Sequence, residues 1–320
     1  FWWQEGHTIH ETAEEAIAET EQQLNCYADF CRDALAMPVV KGRKTEKEKF
    51  AGAEATYTIE CMMKDRKALQ SGTSHYFGDK FSRAYDVTFA GRDNTLQYPF
   101  QTSWGSTTRL IGAVIMTHSD NNGLILPPAI APVQVVVLPI AQHKPGVIEA
   151  ATALRDRLTA AGVRVKMDDS EQSAGWKFAQ YEMKGVPLRV EIGPKDMEKD
   201  QCCIARRDTG EKVFVPLAEL ESTVARLLGE IHDNLYAKAE QNLEENTFDL
   251  NTWEEVKEMI ENGGGFARTK WCGDEGCEVA MKEKAGDSSR CMRIKQSGTT
   301  GKCPICGKEC TTDIYWGVAY

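Results

Sequence analysis

Two close pairs of cysteines near the end of the chain have the spacing of a metal site. Four residues separate Cys272 from Cys277, and two separate Cys303 from Cys306 in the run Cys303-Pro-Ile-Cys306-Gly307. Each pair can cover one side of a tetrahedral Zn²⁺ ion, and the glycine lets the turn direct backbone N–H groups at the sulfurs. Because four thiolates leave no open position on the metal, the spacing predicts a structural zinc site.

Two further cysteines, Cys291 and Cys310, lie in the same segment. Spacing alone leaves open whether one of them replaces a ligand of the zinc ion. Free buried thiols are the alternative to any metal site.

A second group of residues has the chemistry to bind a polyphosphate. The run Gln101-Thr-Ser-Trp-Gly105-Ser-Thr107-Thr-Arg109-Leu-Ile-Gly112 is a small-residue turn that ends in an arginine and leads into an apolar helical stretch. A guanidinium beside free backbone N–H groups at a helix start favours bound phosphate. The alternative is an ordinary N-cap turn.

Three stretches together resemble class II aminoacyl-tRNA synthetases, and within them prolyl-tRNA synthetases of the archaeal and eukaryotic type. Trp3-Gln-Glu-Gly-His7 resembles the end of the family's motif 2, Gln70-Ser-Gly-Thr73-Ser-His75 its proline and ATP strand, and Gly105 to Gly112 its motif 3. The segment from Val40 to Ala53 also matches, and the similarity runs through the whole chain. The segment between His7 and Trp104 is too short for the editing insertion of the bacterial type, which implies the insertion-free type.

The chain begins at Phe1, inside what the family uses as motif 2. The family's motif 1 helix, its proline-binding loop and the leading arginines of motif 2 precede that point. We therefore expect an N-terminally truncated fragment that is inactive by itself.

The resemblance implies an active site without a nucleophilic side chain. Formation of prolyl-adenylate needs the carboxylate of proline in line with the α-phosphate of ATP, and cations, Mg²⁺ among them, to absorb charge on the phosphates. The implied catalytic residues are Arg109, His75 and Gln70. The implied ATP-binding residues are Gln70, Thr73, Thr107 and Arg109. The implied proline-binding residues are Trp3, His7, Phe50 and His75, since flat apolar faces suit a saturated ring.

Each of these residues has a plainer interpretation when taken singly. Trp3 and Phe50 are equally consistent with core aromatics, and His75 with an ordinary hydrogen-bonded histidine. The Lys/Glu-rich segment 41–49 is most simply a solvated loop, with contact to the tRNA acceptor end as the alternative.

In the middle of the chain the run Gly175-Trp-Lys-Phe178 to Asp196 matches the family's anticodon-binding domain. Anticodon bases are recognised by stacking on aromatic rings and by polar side chains at their edges. On that basis we predict contacts to tRNA(Pro) from Phe178, Glu182, Arg189 and Lys195, with a solvated sheet edge as the alternative for each.

The resemblance also bears on the end of the chain. It selects Cys272, Cys277, Cys303 and Cys306 as the zinc ligands, and it implies that the carboxylate of Tyr320 points back toward the catalytic domain.

Composition sets broader limits. A net charge of −10 over 320 residues argues against indiscriminate nucleic-acid binding, so tRNA would meet local basic patches such as residues 36–50. No apolar run approaches the roughly 18 to 20 residues that cross a bilayer. The first residues resemble no export signal, and clustered cysteines then favour a metal site over disulfides, so we expect a cytoplasmic protein. The family is dimeric, which implies a homodimer for the full-length form.

The hydrophobic pattern predicts an α+β and α/β multidomain fold. We expect part of a class II antiparallel sheet with helices over residues 1–130, an α/β anticodon-binding domain with a mixed sheet over 131–236, and a small zinc-binding α+β domain over 237–320. The first helix should begin with a Thr12/Glu15 capping box and bury the face formed by Ile17, Leu24, Tyr27, Cys31 and Leu35. Strands are expected at 54–61 and 67–75, a hairpin at 84–89 and 97–103, a βαβ unit at 133–166 and a helix at 252–262.

These expectations together predict a proline–tRNA ligase. A non-catalytic tRNA-binding or regulatory paralogue is the alternative from another functional class.

Overall fold

The computed structural model describes residues 1–286 and 288–320. In chain order the strands are β1 (Trp3–His10), β2 (Val40–Arg43), β3 (Ala55–Met62), β4 (Ala68–Gly78), β5 (Phe89–Ala90), β6 (Leu96–Gln97), β7 (Phe100–Thr107), β8 (Val135–Pro139), β9 (Val165–Met167), β10 (Leu188–Ile192), β11 (Gln201–Arg206), β12 (Lys212–Pro216), β13 (Thr247–Asp249), β14 (Phe266–Trp271), β15 (Ser288–Arg293), β16 (Gly301–Lys302), β17 (Glu309–Cys310) and β18 (Thr312–Gly317). The helices are α1 (Ala13–Asp33), α2 (Lys80–Ala84), α3 (Arg109–His118), α4 (Val147–Ala160), α5 (Ala174–Met183), α6 (Pro194–Met197), α7 (Leu220–Glu245), α8 (Trp253–Glu261) and α9 (Glu275–Ala285), with a 3₁₀ turn at Leu217–Glu219.

The chain packs as two compact units. One unit comprises Phe1–Arg32, Pro38–Ala113 and Glu240–Tyr320, and the other comprises Asp33–Met37 and Val114–Ala239. The last segment of the chain therefore packs with the first. The division into three functional domains at 130 and 236 remains a prediction.

Within the described residues, nine strands of the first unit form one sheet in the order β1-β7-β4-β3-β2-β15-β18-β14-β13. The seam between the early and late parts of the chain is the antiparallel pair β2–β15, which aligns Gly42 with Arg293. A Cβ atom at Gly42 would lie 2.4 Å from the Cβ of Cys291, so a glycine is required for the two strands to approach this closely.

Helix α1 covers one face of this sheet. Its N-terminus has the predicted capping box, since Thr12 Oγ1 accepts from the Glu15 N–H at 3.2 Å and Glu15 Oε2 accepts from the Thr12 N–H. The predicted buried face was wrong at Ile17, which is 36% exposed, because the helix turns Ala16 and Thr20 toward the sheet instead. Thr20 is buried with its hydroxyl 2.7 Å from that of Thr102 on β7.

Two sequence-based expectations for loops need correction. The segment 41–49 is not simply a solvated loop, because Val40–Arg43 is strand β2. Lys44 and Thr45 are buried, and both donate hydrogen bonds to residues of the last segment.

The predicted hairpin around residues 90–94 forms only as the two-residue strands β5 and β6. Residues 80–84 are helical, and the strand at 100–107 pairs instead with β1 and β4.

The second unit has the predicted mixed sheet, in the order β12-β11-β10-β8-β9. The parallel pair β8–β9 flanks helix α4 as the βαβ pattern requires, while β10, β11 and β12 are antiparallel neighbours. Val135, Val137 and Leu188 are fully buried in its core, as is typical of strands covered on both faces. None of the helices in the described residues is both long and apolar enough to span a bilayer.

Candidate active site and metal centre

The register of three antiparallel strands brings the predicted site residues onto one face of the first sheet. Strand β1 pairs with β7 so that Trp3 aligns with Thr107 and His7 with Ser103. Strand β4 lies on the other side of β7 and aligns His75 with the same Ser103. Because side chains alternate between the two faces, Trp3 and His7 of β1, Thr73 and His75 of β4, and Thr107 of β7 share the face opposite α1. A β-bulge in the β3–β4 pair, between Gly72 and Gln70, shifts the alternation, so Gln70 also reaches the cleft.

That face forms the floor of a cleft of ≈ 680 Å³, within the usual size range of small-molecule sites. All eight residues predicted for ATP and proline line this cleft, namely Trp3, His7, Phe50, Gln70, Thr73, His75, Thr107 and Arg109.

One wall of the cleft is aromatic. The ring of Phe50 lies 4.9 Å from that of His75 and 5.8 Å from that of Phe77, and Phe77 continues to Phe81 at 5.1 Å. Burial lowers the pKa of His75 to about 4, so the imidazole is neutral near pH 7. Its Nδ1 lies 3.0 Å from the Thr56 hydroxyl, which also accepts a hydrogen bond from the Phe50 N–H. The wall is therefore apolar and uncharged near pH 7, with its rings tilted or edge-on to one another.

The other end of the cleft carries a cation. Arg109 is the first residue of α3, and its Nη1 donates to the backbone carbonyl of Gln70 at 3.2 Å. Its backbone N–H donates to Thr107 Oγ1. The exposed guanidinium retains further donors toward the cleft, which is the arrangement that anionic oxygens prefer.

The four cysteines predicted from their spacing as metal ligands lie together in the structure. The sulfurs of Cys272, Cys277, Cys303 and Cys306 all lie within 4.8 Å of one another. The Sγ atoms of Cys272 and Cys306 are 3.7 Å apart, close to the edge of about 3.8 Å expected for a tetrahedron with Zn–S bonds of about 2.3 Å. Among the described residues, Cys291 and Cys310 are outside this group. The four-thiolate donor set fits a closed metal site.

Local structure explains how the two pairs converge. Cys272 follows the end of β14, and Cys277 lies in the first turn of α9, where its N–H donates to the N-cap Asp274 carboxylate at 3.1 Å. Cys303 and Cys306 lie in the turn between β16 and β17, which closes through Gly307 at φ +73°. The backbone N–H of Lys308 lowers the pKa of the Cys306 thiol to about 7, whereas burial raises the pKa of the Cys272 and Cys277 thiols. Of these three thiols, Cys306 therefore loses its proton most readily.

Comparisons with known proteins address the whole chain. A family model described as "Anticodon binding domain" matches residues 134–227, and one described as "Prolyl-tRNA synthetase, C-terminal" matches residues 253–320. The proline–tRNA ligase of Clostridium novyi is 56% identical over 320 residues, which is 100% of this chain and 67% of that relative. Proline–tRNA ligase 2 of Bacillus thuringiensis is 55% identical over the same shares. The chain belongs to the prolyl-tRNA synthetase family.

Solved prolyl-tRNA synthetases have the same fold. A crystal structure from Cryptosporidium parvum in complex with halofuginone and AMPPNP superposes with a TM-score of 0.95 at 38% identity, covering 99% of this chain and 68% of that one. A second from the same organism, in complex with L-proline and AMP, gives a TM-score of 0.94 at 40% identity, covering 99% and 69%. Members of this family are class II aminoacyl-tRNA synthetases, so the prediction of an enzyme is confirmed over that of a silent paralogue.

The segment that matches the anticodon-binding family model, residues 134–227, contains all four residues predicted to contact tRNA. Two of them, Phe178 and Arg189, lie together. The Arg189 guanidinium lies 4.0 Å from the centre of the Phe178 ring. Glu182 lies one turn after Phe178 on α5 and accepts from Arg207 through its backbone carbonyl. Lys195 is exposed on the separate short helix α6.

Sequence reasoning missed Lys212 and Glu191, which complete this cluster. Lys212 Nζ lies 5.3 Å from the Phe178 ring centre, and the Glu191 carboxylate accepts from both Arg189 and Lys212. The register aligns Arg189 with Ala205 and Ala205 with Lys212, so a small residue separates the two cations on one face. Only strand register could have identified Lys212, and register is not visible in the sequence.

Proposed function

We propose that this chain contributes the proline, ATP and tRNA sites of a proline–tRNA ligase. The reaction joins L-proline to tRNA(Pro) with ATP and releases AMP and pyrophosphate. The observation that carries the proposal is the convergence of β1, β4 and β7 on one cleft with an uncharged aromatic wall and a cation at the other end.

Proline binds against the aromatic wall in this proposal. Trp3, Phe50 and His75 present flat surfaces that a saturated ring contacts without polar partners, and His7 closes the same face. Because the His75 imidazole is neutral at pH 7, it does not repel the protonated imino group of the amino acid.

ATP binds toward Arg109 in this proposal. The Arg109 guanidinium holds the γ-phosphate, while Gln70, Thr73 and Thr107 contact the nucleotide. The proline carboxylate then attacks the α-phosphate, the bond to the β-phosphate breaks, and pyrophosphate leaves with its charge compensated by Arg109. Mg²⁺, which family members use with ATP, supplies further positive charge on the phosphates.

The transfer step follows in the same cleft. A hydroxyl of the terminal ribose of tRNA(Pro) attacks the carbonyl carbon of prolyl-adenylate, and AMP leaves. Phe178 and Arg189, with Glu182 and Lys195 as further candidates, contact the anticodon through ring stacking and polar groups.

Three further assignments complete the proposal. The four cysteines hold a structural Zn²⁺ ion, because their sulfurs fit a tetrahedron with no open position. The active form is a homodimer, and it works in the cytoplasm, where thiols stay reduced and available to the metal.

A substitution at Arg109 tests the active site. In the full-length enzyme, Arg109→Ala should lower the rate of proline-dependent ATP–pyrophosphate exchange by about a hundredfold, since a cation aimed at developing charge is lost. Arg92→Ala is the matched control, because its side chain is 90% exposed and pairs only at the surface with Glu11. Equal activity of the two variants would remove the proposed role of Arg109.

The tRNA assignment has a separate test. Arg189→Ala should raise the KM for tRNA(Pro) in aminoacylation and leave proline-dependent ATP–pyrophosphate exchange unchanged, because the residue acts on the anticodon and not on adenylate formation. Arg155→Ala, at a surface arginine of α4 in the same unit, should leave both values as in the wild type. An unchanged KM for tRNA in Arg189→Ala would contradict the assignment.

A further inference from the structure

A buried polar cluster joins the turn after β2 to the segment that carries the four-cysteine centre. Thr45 is 1% exposed, and Glu278, the residue directly after Cys277 on α9, is 3% exposed. Thr45 Oγ1 donates a hydrogen bond to Glu278 Oε1 at 2.8 Å. Ser289 on β15 donates to the same carboxylate oxygen. The Glu278 carboxylate, in the last segment of the chain, therefore holds Thr45, in the first segment, through a hydrogen bond.

The Thr45 hydroxyl has a second contact that fixes the turn. It accepts from the Glu48 N–H at 3.2 Å, and the Thr45 carbonyl accepts from the Lys49 N–H at 2.9 Å. Since a hydroxyl has one proton, its donation to Glu278 leaves its lone pairs facing the turn. The same group thus links the α9 carboxylate to the backbone of residues 45–49.

Neighbouring residues reinforce this anchor. Lys44 is 3% exposed, and its Nζ donates to Glu60 Oε1 at 2.9 Å and to the Arg290 carbonyl at 2.6 Å. Glu60 also accepts from Thr58 at 3.0 Å, and Thr58 lies within 3.4 Å of the Gln70 amide that lines the cleft. Glu60 Oε2 lies 3.4 Å from Arg290 Nε, and among the described residues neither atom has a hydrogen-bond partner. The hydrogen bonds that do form link Lys44 to both Glu60 and the Arg290 carbonyl and so restrict its position.

The anchored turn leads directly into the cleft. Glu48 and Phe50 line it, and the Phe50 ring lies 4.9 Å from that of His75. Phe50 is itself 52% exposed, so packing alone holds it weakly. Its position depends on the turn that Thr45 begins and on the hydrogen bond from its N–H to Thr56.

We infer that the hydrogen bond from Thr45 to Glu278 positions Phe50, and so sets the fit of the pocket to proline. Thr45 and Glu278 are positioning residues, because they act on the amino acid only through the turn. The segment that follows Cys277 thereby takes part in substrate selection as well as in its own folding. The inference rests on the proposed proline site.

The test compares two hydroxyls that donate to the same carboxylate oxygen. Thr45→Val keeps the shape of the side chain and removes the hydrogen bond on the side of the turn. Ser289→Ala removes the other hydrogen bond to that oxygen, which comes from β15 and not from the turn. In ATP–pyrophosphate exchange by the full-length enzyme, Thr45→Val should raise the KM for proline about fivefold. That factor corresponds to the loss of one hydrogen bond of about 1 kcal/mol. The KM for ATP should stay unchanged. Ser289→Ala should keep the wild-type KM for proline at a similar loss of melting temperature.

Two further measurements make the result decisive. Thr45→Ser retains the hydroxyl and should restore the wild-type KM for proline. Hydrogen exchange at the amides of residues 48–50 should accelerate in Thr45→Val and not in Ser289→Ala, whether or not the enzyme is turning over.

The outcomes separate this inference from the proposed function. If the full-length wild-type enzyme shows no proline-dependent exchange, the proposed function fails. If the wild type is active and Thr45→Val and Ser289→Ala give the same KM for proline and the same amide exchange, the hydrogen bond is only structural and the inference is overturned.

Discussion

Burial, and no charged neighbour, sets the protonation of His75: its ring lies in the aromatic wall, and burial alone lowers its pKa to about 4. Trp3, by contrast, is 66% exposed. It reaches the cleft because the side chains of β1 point alternately to the two faces of the sheet. The sequence identified both residues, but it could not show which of them is shielded from water.

The depressed pKa of His75 predicts a pH dependence of stability. Between pH 6.5 and 4 the unfolded chain binds a proton that the folded chain does not, so the free energy of unfolding should fall as the pH falls through this window. The contribution is about 3 kcal/mol at most. Above pH 6.5 it is fully present. His75→Gln should flatten this part of the profile, measured by urea unfolding at a series of pH values.

The matching control is His7→Gln, at an exposed histidine of β1 on the same face. It should keep the wild-type decline in stability toward pH 4. A steep decline that persists in His75→Gln would show that the histidine is solvated in the folded protein.

At the scale of elements, contiguous sequence patterns correctly predicted the helices and strands that depend on interactions between residues close in sequence. The Thr12 capping box, the strand pair β3–β4 and helix α8 all form where the pattern indicated. What failed depends on contacts distant in sequence. The burial of Lys44 and Thr45 requires partners more than 200 positions later, which no local pattern contains.

The same limit applied to the candidate site. Motif resemblance identified the residues that line the cleft, because each motif is a short contiguous stretch. Phe77 and Phe81 were missed, since they extend the aromatic wall only through ring contacts that follow from the fold. Lys212 was missed for the same reason in the second unit.

The seam between β2 and β15 gives a prediction about an element. Gly42→Ala should lower the free energy of unfolding by about 1–3 kcal/mol, because the new Cβ would overlap Cys291 and the Met292 carbonyl at 2.4–2.5 Å. Gly112→Ala on α3 is the control: nothing lies within 4 Å of its Cβ position, so alanine should be neutral or stabilising by up to ~1 kcal/mol. Chemical unfolding of both variants measures the difference, and equal stability would contradict the close packing of the seam.

At the scale of the whole molecule, the last segment completes the first. Strands β13, β14, β15 and β18 extend the sheet that carries the cleft. The Tyr320 hydroxyl donates to the Asp65 carboxylate, and the Tyr320 N–H donates to the Ala68 carbonyl at 3.2 Å, beside the turn between β3 and β4. The predicted direction of the Tyr320 carboxylate remains a prediction.

The four-cysteine centre should therefore affect more than its own segment. Cys306→Ser should release bound zinc and lower the melting temperature, because metal binding contributes directly to folding. Cys310→Ser removes a neighbouring thiol outside the sulfur group and should retain the wild-type zinc content. Elemental analysis and thermal unfolding measure the two effects. Loss of zinc from Cys310→Ser, with retention in Cys306→Ser, would show that the ligand set is wrong.

The seam also has a consequence during biosynthesis. When β2 leaves the ribosome, its partner β15 has not been made, and at about 5–20 residues per second the nascent chain waits roughly 10–50 seconds for it. Throughout that interval β2 has an open edge of the kind that recruits other strands. Its sequence, Val-Lys-Gly-Arg, places two cations and a glycine along that edge. Charged residues on an open edge disfavour pairing with other strands, so we expect Lys41 and Arg43 to lower the tendency of the unfinished sheet to aggregate.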